Sequence, residues 1–518
     1  MQRSHVIVVA AVAAAASSGT AAAGPVCQPS ADGIACHAIA LELPTGGIAA
    51  SAAPKGLGPA DLQGAYNIQQ PRGGATPTIA IIDAYGYSAI ESDLAMYRTQ
   101  YGLRPCTRAN GCLRVVNFDG TTTLPADPPT TDDWTIETAL DIDMASAACP
   151  ACNILVVQGT TAQLQYLIPA QRTAVQLGAT VISNSWGSGS VQPNLPVTEP
   201  YFDHPGVPTF VSSGDRGYNE GGTGPHYPST STHVIAVGGT ALRRDTSARG
   251  WSEVAWAKAG SSCSTTIAKP AYQAAVPCAF RAASDVAAVA DPATGVAVYN
   301  ARNGGWLVVG GTSAAAPLVA TMVAAAGLAP QITGGDWFAQ HASALHDVVT
   351  GGNAGCATSV CNAGVGWDGP TGYGTPDIGH LTDPGPTVGI TAPADGATVT
   401  AGFEVDAAVD NATNVELRID GATVATAASG PFRFQAPAQL ADGEHDVEVF
   451  AIDAYGVTGS SSVRVTVSSP PDRTETGMTA GGCSVGGEPS WLVLGLGALL
   501  AQRASRARRA AARARARS

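Results

Sequence analysis

Gly310-Gly311-Thr312-Ser313-Ala314-Ala315-Ala316-Pro317 decides how this chain is read. The two glycines let backbone pass close to another chain, and the alanine run favours helix, so Ser313 falls in the first turn of a helix, at its positive end. A hydroxyl so placed is a candidate nucleophile, and a nucleophilic serine needs a base. None of the nine histidines stands in a Gly-rich strand-end motif beside a small hydroxyl residue. Carboxylates are the better source. Residues 135–145 (TIETALDIDMA) read as helix, with Glu137 and Asp141 four apart on one face. Like charges at that spacing repel, which a solvated surface tolerates and a shared proton exploits. A third carboxyl, Asp215, follows the apolar run Pro208-Thr209-Phe210-Val211 and the turn Ser212-Ser213-Gly214.

At these residues the chain resembles the sedolisins, serine-carboxyl peptidases of subtilisin-like fold. The family's serine lies in a Gly-Thr-Ser-x-x-x-Pro motif, matched at residues 311–317, its Glu and Asp are spaced as Glu137 and Asp141 are, and an aspartate after Ser-x-Gly, here Asp215, lines its oxyanion hole. Further similarity lies in Ser183-Asn184-Ser185-Trp186-Gly187, in Val234-Ile235-Ala236-Val237-Gly238-Gly239-Thr240 and in Ser284-Asp285-Val286-Ala287-Ala288, so that the resemblance spans residues 56–380. It implies a serine-type endopeptidase acting on protein or peptide. Ser313 would attack the scissile carbonyl, and Glu137 would take its proton and return it to the leaving amine. Asp141 would orient Glu137 and share its proton. Asp215 is expected to work protonated, because only a neutral carboxyl donates a hydrogen bond to an oxyanion. Free Asp and Glu titrate near pH ~4, so activity is expected in acid. Asp83, ending Thr78-Ile79-Ala80-Ile81-Ile82, is expected behind Asp141, while Trp186 is expected to wall the substrate cleft and Gly311 to let substrate approach.

The resemblance also implies calcium. Carboxylates and carbonyls on a permissive backbone suit a hard cation. The family pattern falls on Asp347 and Asp368 as carboxylate ligands and on Val348, Gly364 and Gly366 as carbonyl ligands. No Cys/His set has zinc spacing.

Near-continuous apolar runs at residues 78–82, 153–158, 180–184, 209–213 and 234–238, with helices such as 161–177 between them, predict a parallel α/β sheet covered by helices on both faces. Residues 384–468 shift to two-residue alternation with frequent turns, as in residues 415–419 and 447–452, which predicts a small antiparallel sandwich. Ile390-Thr391-Ala392-Pro393-Ala394-Asp395-Gly396 and Asp442-Gly443-Glu444-His445 resemble bacterial Ig-like domains, with spacer as the default role and adhesion or substrate docking as alternatives.

The ends read as export signals. Residues 1–23 have a basic start, an apolar run and small residues before a cleavage point, as secretory signal peptides do. A short segment, residues 24–55, then precedes the peptidase-like domain. Sedolisins usually carry a long prosegment there, and its shortness leaves open how activity is held off. Eleven cysteines form five close couples and a remainder, and pairing neighbours joins Cys27 to Cys36, Cys106 to Cys112, Cys149 to Cys152, Cys263 to Cys278 and Cys356 to Cys361. The remainder, Cys483, follows a linker at residues 469–482 and opens residues 483–518, a short apolar run with a basic end that resembles a myxobacterial-type sorting signal. A tail anchor that simply stays is the other reading, and either way membrane contact would be confined to this tail. The net charge is −13, and residues 501–518 hold seven arginines and no acid, leaving −20 on the rest. That balance argues against nucleic acid as a partner. A catalytically silent surface binding or adhesion protein on a peptidase scaffold is the alternative function.

Overall fold

The computed structural model describes residues 22–68, 75–189 and 195–469. The expected signal peptide, up to residue 21, and the linker and sorting signal, from residue 470, lie outside the described residues.

Runs of Val, Ile and Ala with no polar alternation can bury both faces of a strand, and they build the central sheet. Its strands are β1 (Thr78–Ala84), β2 (Leu113–Asn117), β3 (Asn153–Gly159), β4 (Val181–Asn184), β5 (Thr209–Ser212), β6 (Val234–Arg244), β7 (Trp251–Ala255) and β8 (Val286–Val289), in the order β7-β6-β5-β4-β1-β3-β2, with β8 also pairing β6. Every pairing is parallel except that of β6 with β7. Asp83, Ser185 and Asp215 therefore fall at or just beyond the C-terminal ends of β1, β4 and β5, where open parallel sheets form their crevice.

Four longer helices accompany the sheet: α1 (Ile90–Gln100), α2 (Trp134–Ala148), α3 (Leu164–Gln176) and α4 (Thr312–Ala325). Every residue of α2 and α4 is buried. Helices apolar on all sides belong to the interior, and these two pack on each other, α4 also lying across β4, β5, β6 and β8. Asp133 caps α2 by accepting from the Thr135 N–H at 3.1 Å, and Pro150 follows its last turn. The five disulfides join the five predicted couples.

The N-terminal segment is part of this fold. Ala23–Pro25 pairs antiparallel with Ile39–Leu41, which pairs with the end of Gly305–Gly310, the strand leading into Ser313. Cys27, Ile34, Cys36, Ala38 and Ala40 are buried in the main core.

Residues 387–467 form two sheets of three and five strands. Alternate residues point inward, as the two-residue period predicts: Val447, Val449 and Ala451 on one strand meet Val415, Leu417 and Ile419 on the next.

One buried ion pair ties β6 to the loop before β8. Arg281 and Asp285 are fully buried and joined by two bonds, Nη1 to Oδ1 at 3.0 Å and Nη2 to Oδ2 at 2.6 Å, while Asp285 also accepts from the Ala236 N–H and the Tyr272 hydroxyl. Removing one partner strands the other charge away from water. Asp285→Ala is expected to destabilise the domain by about 3–5 kcal/mol, and a thermal or urea unfolding curve indistinguishable from wild type would contradict this.

Candidate active site

Glu137 and Asp141 project from successive turns of α2 and both are fully buried. Asp83 reaches the same place from the end of β1 and is also buried. Three carboxyls out of water cannot all ionise, because each charge loses its hydration and repels the others. Burial pushes Glu137 well above the usual carboxylate range, Asp141 and Asp83 push it further, and the Ser313 hydroxyl partly offsets them. Asp141 is likewise held well up by burial and by Asp83, with the Ser185 hydroxyl and the Glu137 carboxyl opposing. Burial lifts Asp83 to about 7, with the Thr138 hydroxyl opposing. Asp141 Oδ1 accepts from Ser185 Oγ at 2.9 Å, whereas Asp141 Oδ2 and both oxygens of Glu137 and of Asp83 have no close hydrogen-bond partner among the described residues.

Ser313 is the second residue of α4 and is completely buried. Its Oγ donates to the Ser185 carbonyl at 3.2 Å. The proline at position 317 has no N–H to give the Ser313 carbonyl, which lies 3.4 Å from Ser185 Oγ instead. Before Ser313, Gly311 has φ +97, a conformation that suits glycine. A Cβ there would strike the His37 carbonyl oxygen and lie 2.6 Å from Asp215 Oδ2, so those two oxygens share the space over Gly311. Thr312 fixes Asp215 by donating from its N–H at 2.7 Å and its hydroxyl at 3.0 Å, both to Oδ1. Oδ2 stays buried and free of partners. Burial raises Asp215 to about 7, against these Thr312 bonds and the charges of Lys258 and Arg216.

The oxygen over Gly311 belongs to the N-terminal segment, which lies along the site. Ala35 and Cys36 pair antiparallel with Gly187 and Trp186, the His37 N–H donates to the Ser185 carbonyl at 3.0 Å, and the Ser313 N–H donates to the His37 carbonyl at 3.1 Å. His37 therefore stands beside Ser313, with His226 next to it, although no motif in the sequence marks either. Neither serves it. His37 Nδ1 bonds Ser212 Oγ at 2.7 Å and its Nε2 bonds His226 Nδ1 at 2.9 Å. Burial lowers His37 to about 3, with Arg216 adding to the effect, and His226 also falls well below its ordinary value. Glu220 stands 3.8 Å behind His226 and is raised to about 8 by burial and by Asp215.

Trp186 does not wall the cleft with its indole as expected. The ring is buried in the core and its Nε1 donates to the Ile82 carbonyl at 2.9 Å, so it is the backbone of Trp186 that faces the site. Ser185, Thr312, Glu220, His226 and His37 were not singled out as site residues in the sequence. Ser185 and Thr312 lie in stretches that carried the resemblance, but Glu220, His226 and His37 have no local signal, because only tertiary pairing brings them to this part of the fold.

At the proposed cation ligands, the Gly366 N–H donates to Asp347 Oδ2 at 2.9 Å and the Gly364 N–H to Asp368 Oδ2 at 3.3 Å. Burial raises Asp368 to about 7, Asp347 adding to it. Among the described residues no hydrogen bond reaches the carbonyl oxygens of Val348, Gly364 or Gly366.

A subtilase-family model matches residues 137–335, and a bacterial Ig-domain model matches residues 386–449. Kumamolisin of Bacillus sp. (strain MN-32) is 31% identical over 360 residues, 63% of each chain. Sedolisin of Pseudomonas sp. (strain 101) is 28% identical over 381 residues, 64% of this chain and 62% of its own. This chain thus spans somewhat less than two thirds of the length of these curated relatives. The solved structure of Pseudomonas sedolisin, a serine-carboxyl proteinase complexed with two molecules of pseudo-iodotyrostatin, gives a TM-score of 0.53 at 27% identity over 64% of this chain and 97% of that one. The chain therefore has a subtilisin-like fold similar to that of the sedolisins, followed by a region similar to bacterial Ig domains.

Proposed function

We propose that this chain is a serine-type endopeptidase that hydrolyses protein or peptide in acid, with Ser313, Glu137 and Asp141 as its catalytic triad and Asp215 as donor to the oxyanion. The observation that carries this reading is one peptide carbonyl, that of His37, held by the Ser313 N–H in the space that Asp215 Oδ2 borders. Glu137 takes the Ser313 proton as Oγ adds to such a carbonyl, and the proton shared with Asp141 keeps a single negative charge on the pair. Asp215, protonated, donates from Oδ2 as the oxyanion forms. A silent binding protein has no need for three buried, mutually repelling carboxyls around a serine. A histidine-dependent hydrolase is disfavoured because both ring nitrogens of His37, and Nδ1 of His226, are engaged away from Ser313.

The likeness to known peptidases and the Ig domain fit an extracellular protein. Its attachment to a cell surface through the C-terminal signal belongs to this proposal, as does calcium. Asp347 and Asp368 would supply carboxylate oxygens, and among the described residues nothing donates to the carbonyls of Val348, Gly364 and Gly366, so the donor set fits a hard cation. Bound there, the ion would supply charge that offsets the two facing carboxylates and fastens the loop. The Ig domain is taken as a spacer.

Five outcomes test the proposal. Ser313→Ala should lower kcat/KM for peptide hydrolysis by about a thousandfold or more, and Asp215→Ala by about a hundredfold to a thousandfold. Wild-type activity at either level in Ser313→Ala refutes the assignment. The pH profile should fall on its alkaline side at or below the value of about 7 set for Asp215 under the covered cleft, since exposure to water lowers it. A rate maximum above neutrality contradicts the role of Asp215. Stability should follow the same protons. Asp83, Asp215 and Glu220 titrate at about 7, 7 and 8 when folded, so the folded chain binds more protons than the unfolded one above pH ~4. Their contribution is complete below the unfolded values and is lost as pH rises through the folded ones, so Tm should fall between pH ~5 and ~8, which calorimetry checks. Finally, EGTA should lower the Tm of wild type and leave that of Asp368→Asn unchanged. An equal response from both proteins removes calcium from this loop.

A further inference from the structure

Beside Asp215 the cleft opens into a cavity of about 280 Å³ whose polar walls include Asp215, Arg216, Glu220, His226 and Lys258. Asp215, Glu220 and His226 are buried, whereas Arg216 and Lys258 are exposed at its mouth. Backbone holds these two cations together. The Gly217 N–H donates to the Lys258 carbonyl at 3.0 Å and the Gly260 N–H to the Gly214 carbonyl at 2.7 Å, so the loop carrying Lys258 is fastened on both sides to the turn carrying Arg216. Among the described residues neither side chain enters an ion pair or donates a hydrogen bond, in a chain whose net charge is −13. Acid removes the other charges from this cavity. Burial raises Asp215 to about 7 and Glu220 to about 8, so both hold protons at pH ~5. Burial also keeps the His37 ring, which borders the same space, at about 3 and His226 well below its ordinary value, so both rings stay neutral.

We infer that Arg216 and Lys258 form a subsite for a carboxylate side chain, and that the enzyme prefers a glutamate or aspartate a few residues before the bond it cuts. The inference rests on the peptidase reading above and names its substrate class, an acidic polypeptide. The direction follows from backbone. Ala35 and Cys36 precede the carbonyl held by the Ser313 N–H and line the same cavity, so a chain running that way sets the residues before its cut against Arg216 and Lys258. A guanidinium offers a carboxylate two parallel N–H donors, and an ammonium adds a point charge beside it. One exposed ion pair selects weakly, because water screens it. Two cations converging on one carboxylate, with neutral buried groups behind them, are screened less and select more. A glutamate side chain in a peptide, with a pKa near ~4.3, is mostly ionised at pH ~5 and can be read there. The contact is far from the reacting carbonyl and the same before and during reaction, so it acts on KM rather than kcat.

The test uses the full chain and peptides acetylated and amidated at their ends, so that a side chain is their one source of negative charge. Glutamate is moved residue by residue through the stretch around a cut located by mass spectrometry, each peptide with a glutamine twin, at pH ~5 and low salt. Wild type is expected to favour glutamate over glutamine at one position before the cut by about fivefold in kcat/KM, carried by KM, and to lose most of that preference in about 0.5 M salt. With Arg216→Met and Lys258→Met combined, the ratio should fall to about one, and in Lys258→Glu a lysine peptide should overtake the glutamate one. Each value is a ratio within one protein, so a general loss of activity cancels. Casein digestion is followed in parallel. Twins cut within about twofold of each other at every position before the cut, or a glutamate preference that survives in the double variant, overturn the inference and leave the peptidase reading standing. A wild-type chain that cuts neither casein nor any of the peptides overturns both.

Discussion

Keeping ionisable carboxyls dry is the constraint on which this structure depends. Glu137 and Asp141 lie on a helix with no exposed residue, and Asp83 meets them from the end of β1. Removed from water and set beside one another, these groups keep protons that free carboxyls would have surrendered. An apolar sheet and a second fully buried helix, α4, are needed to enclose them. On the proposed reading, the enclosure that costs hydration would also supply a base that holds and returns a proton in acid, where imidazole is charged and useless as a base.

The opposite side of Ser313 works by different means. There the backbone matters more than charge. Gly311 takes a left-handed turn that no Cβ would permit, which brings the helix start and its N–H groups against a peptide carbonyl. Thr312 binds one oxygen of Asp215 twice and so leaves the other directed at the same space. Asp215, Thr312 and Ser313 form one unit in which the residue before Ser313 holds one oxygen of Asp215 in place. His37 joins that unit from near the start of the chain, its carbonyl accepting from the Ser313 N–H.

Much of this was legible in residue order. The buried strands were found because Val- and Ile-rich runs have few other uses, and residues 113–117 escaped because an edge strand keeps an exposed arginine, Arg114, among its apolar residues. Glu137 and Asp141 were found because four residues return a helix to the same face. Trp186 was expected at the cleft wall by family resemblance, yet its ring lies inward with Nε1 on the Ile82 carbonyl, because strand alternation sets the side-chain face. The segment before residue 56 was assigned no structural role because it is short and lacks strong periodicity, whereas two strand pairings and one disulfide build it into the fold beside Ser313.

By itself, then, the sequence determined the parallel sheet, the two modules, the five disulfide couples and the four acid and hydroxyl groups of the candidate site, because each rests on local periodicity or on short spacing along the chain. Only the tertiary structure decided that Ser185 holds Asp141, that Thr312 orients Asp215, and that His37 and His226 fill a pocket beside Ser313. Those contacts join residues dozens to hundreds of positions apart. Their partners are chosen by where strands end and how helices pack, which no local pattern encodes.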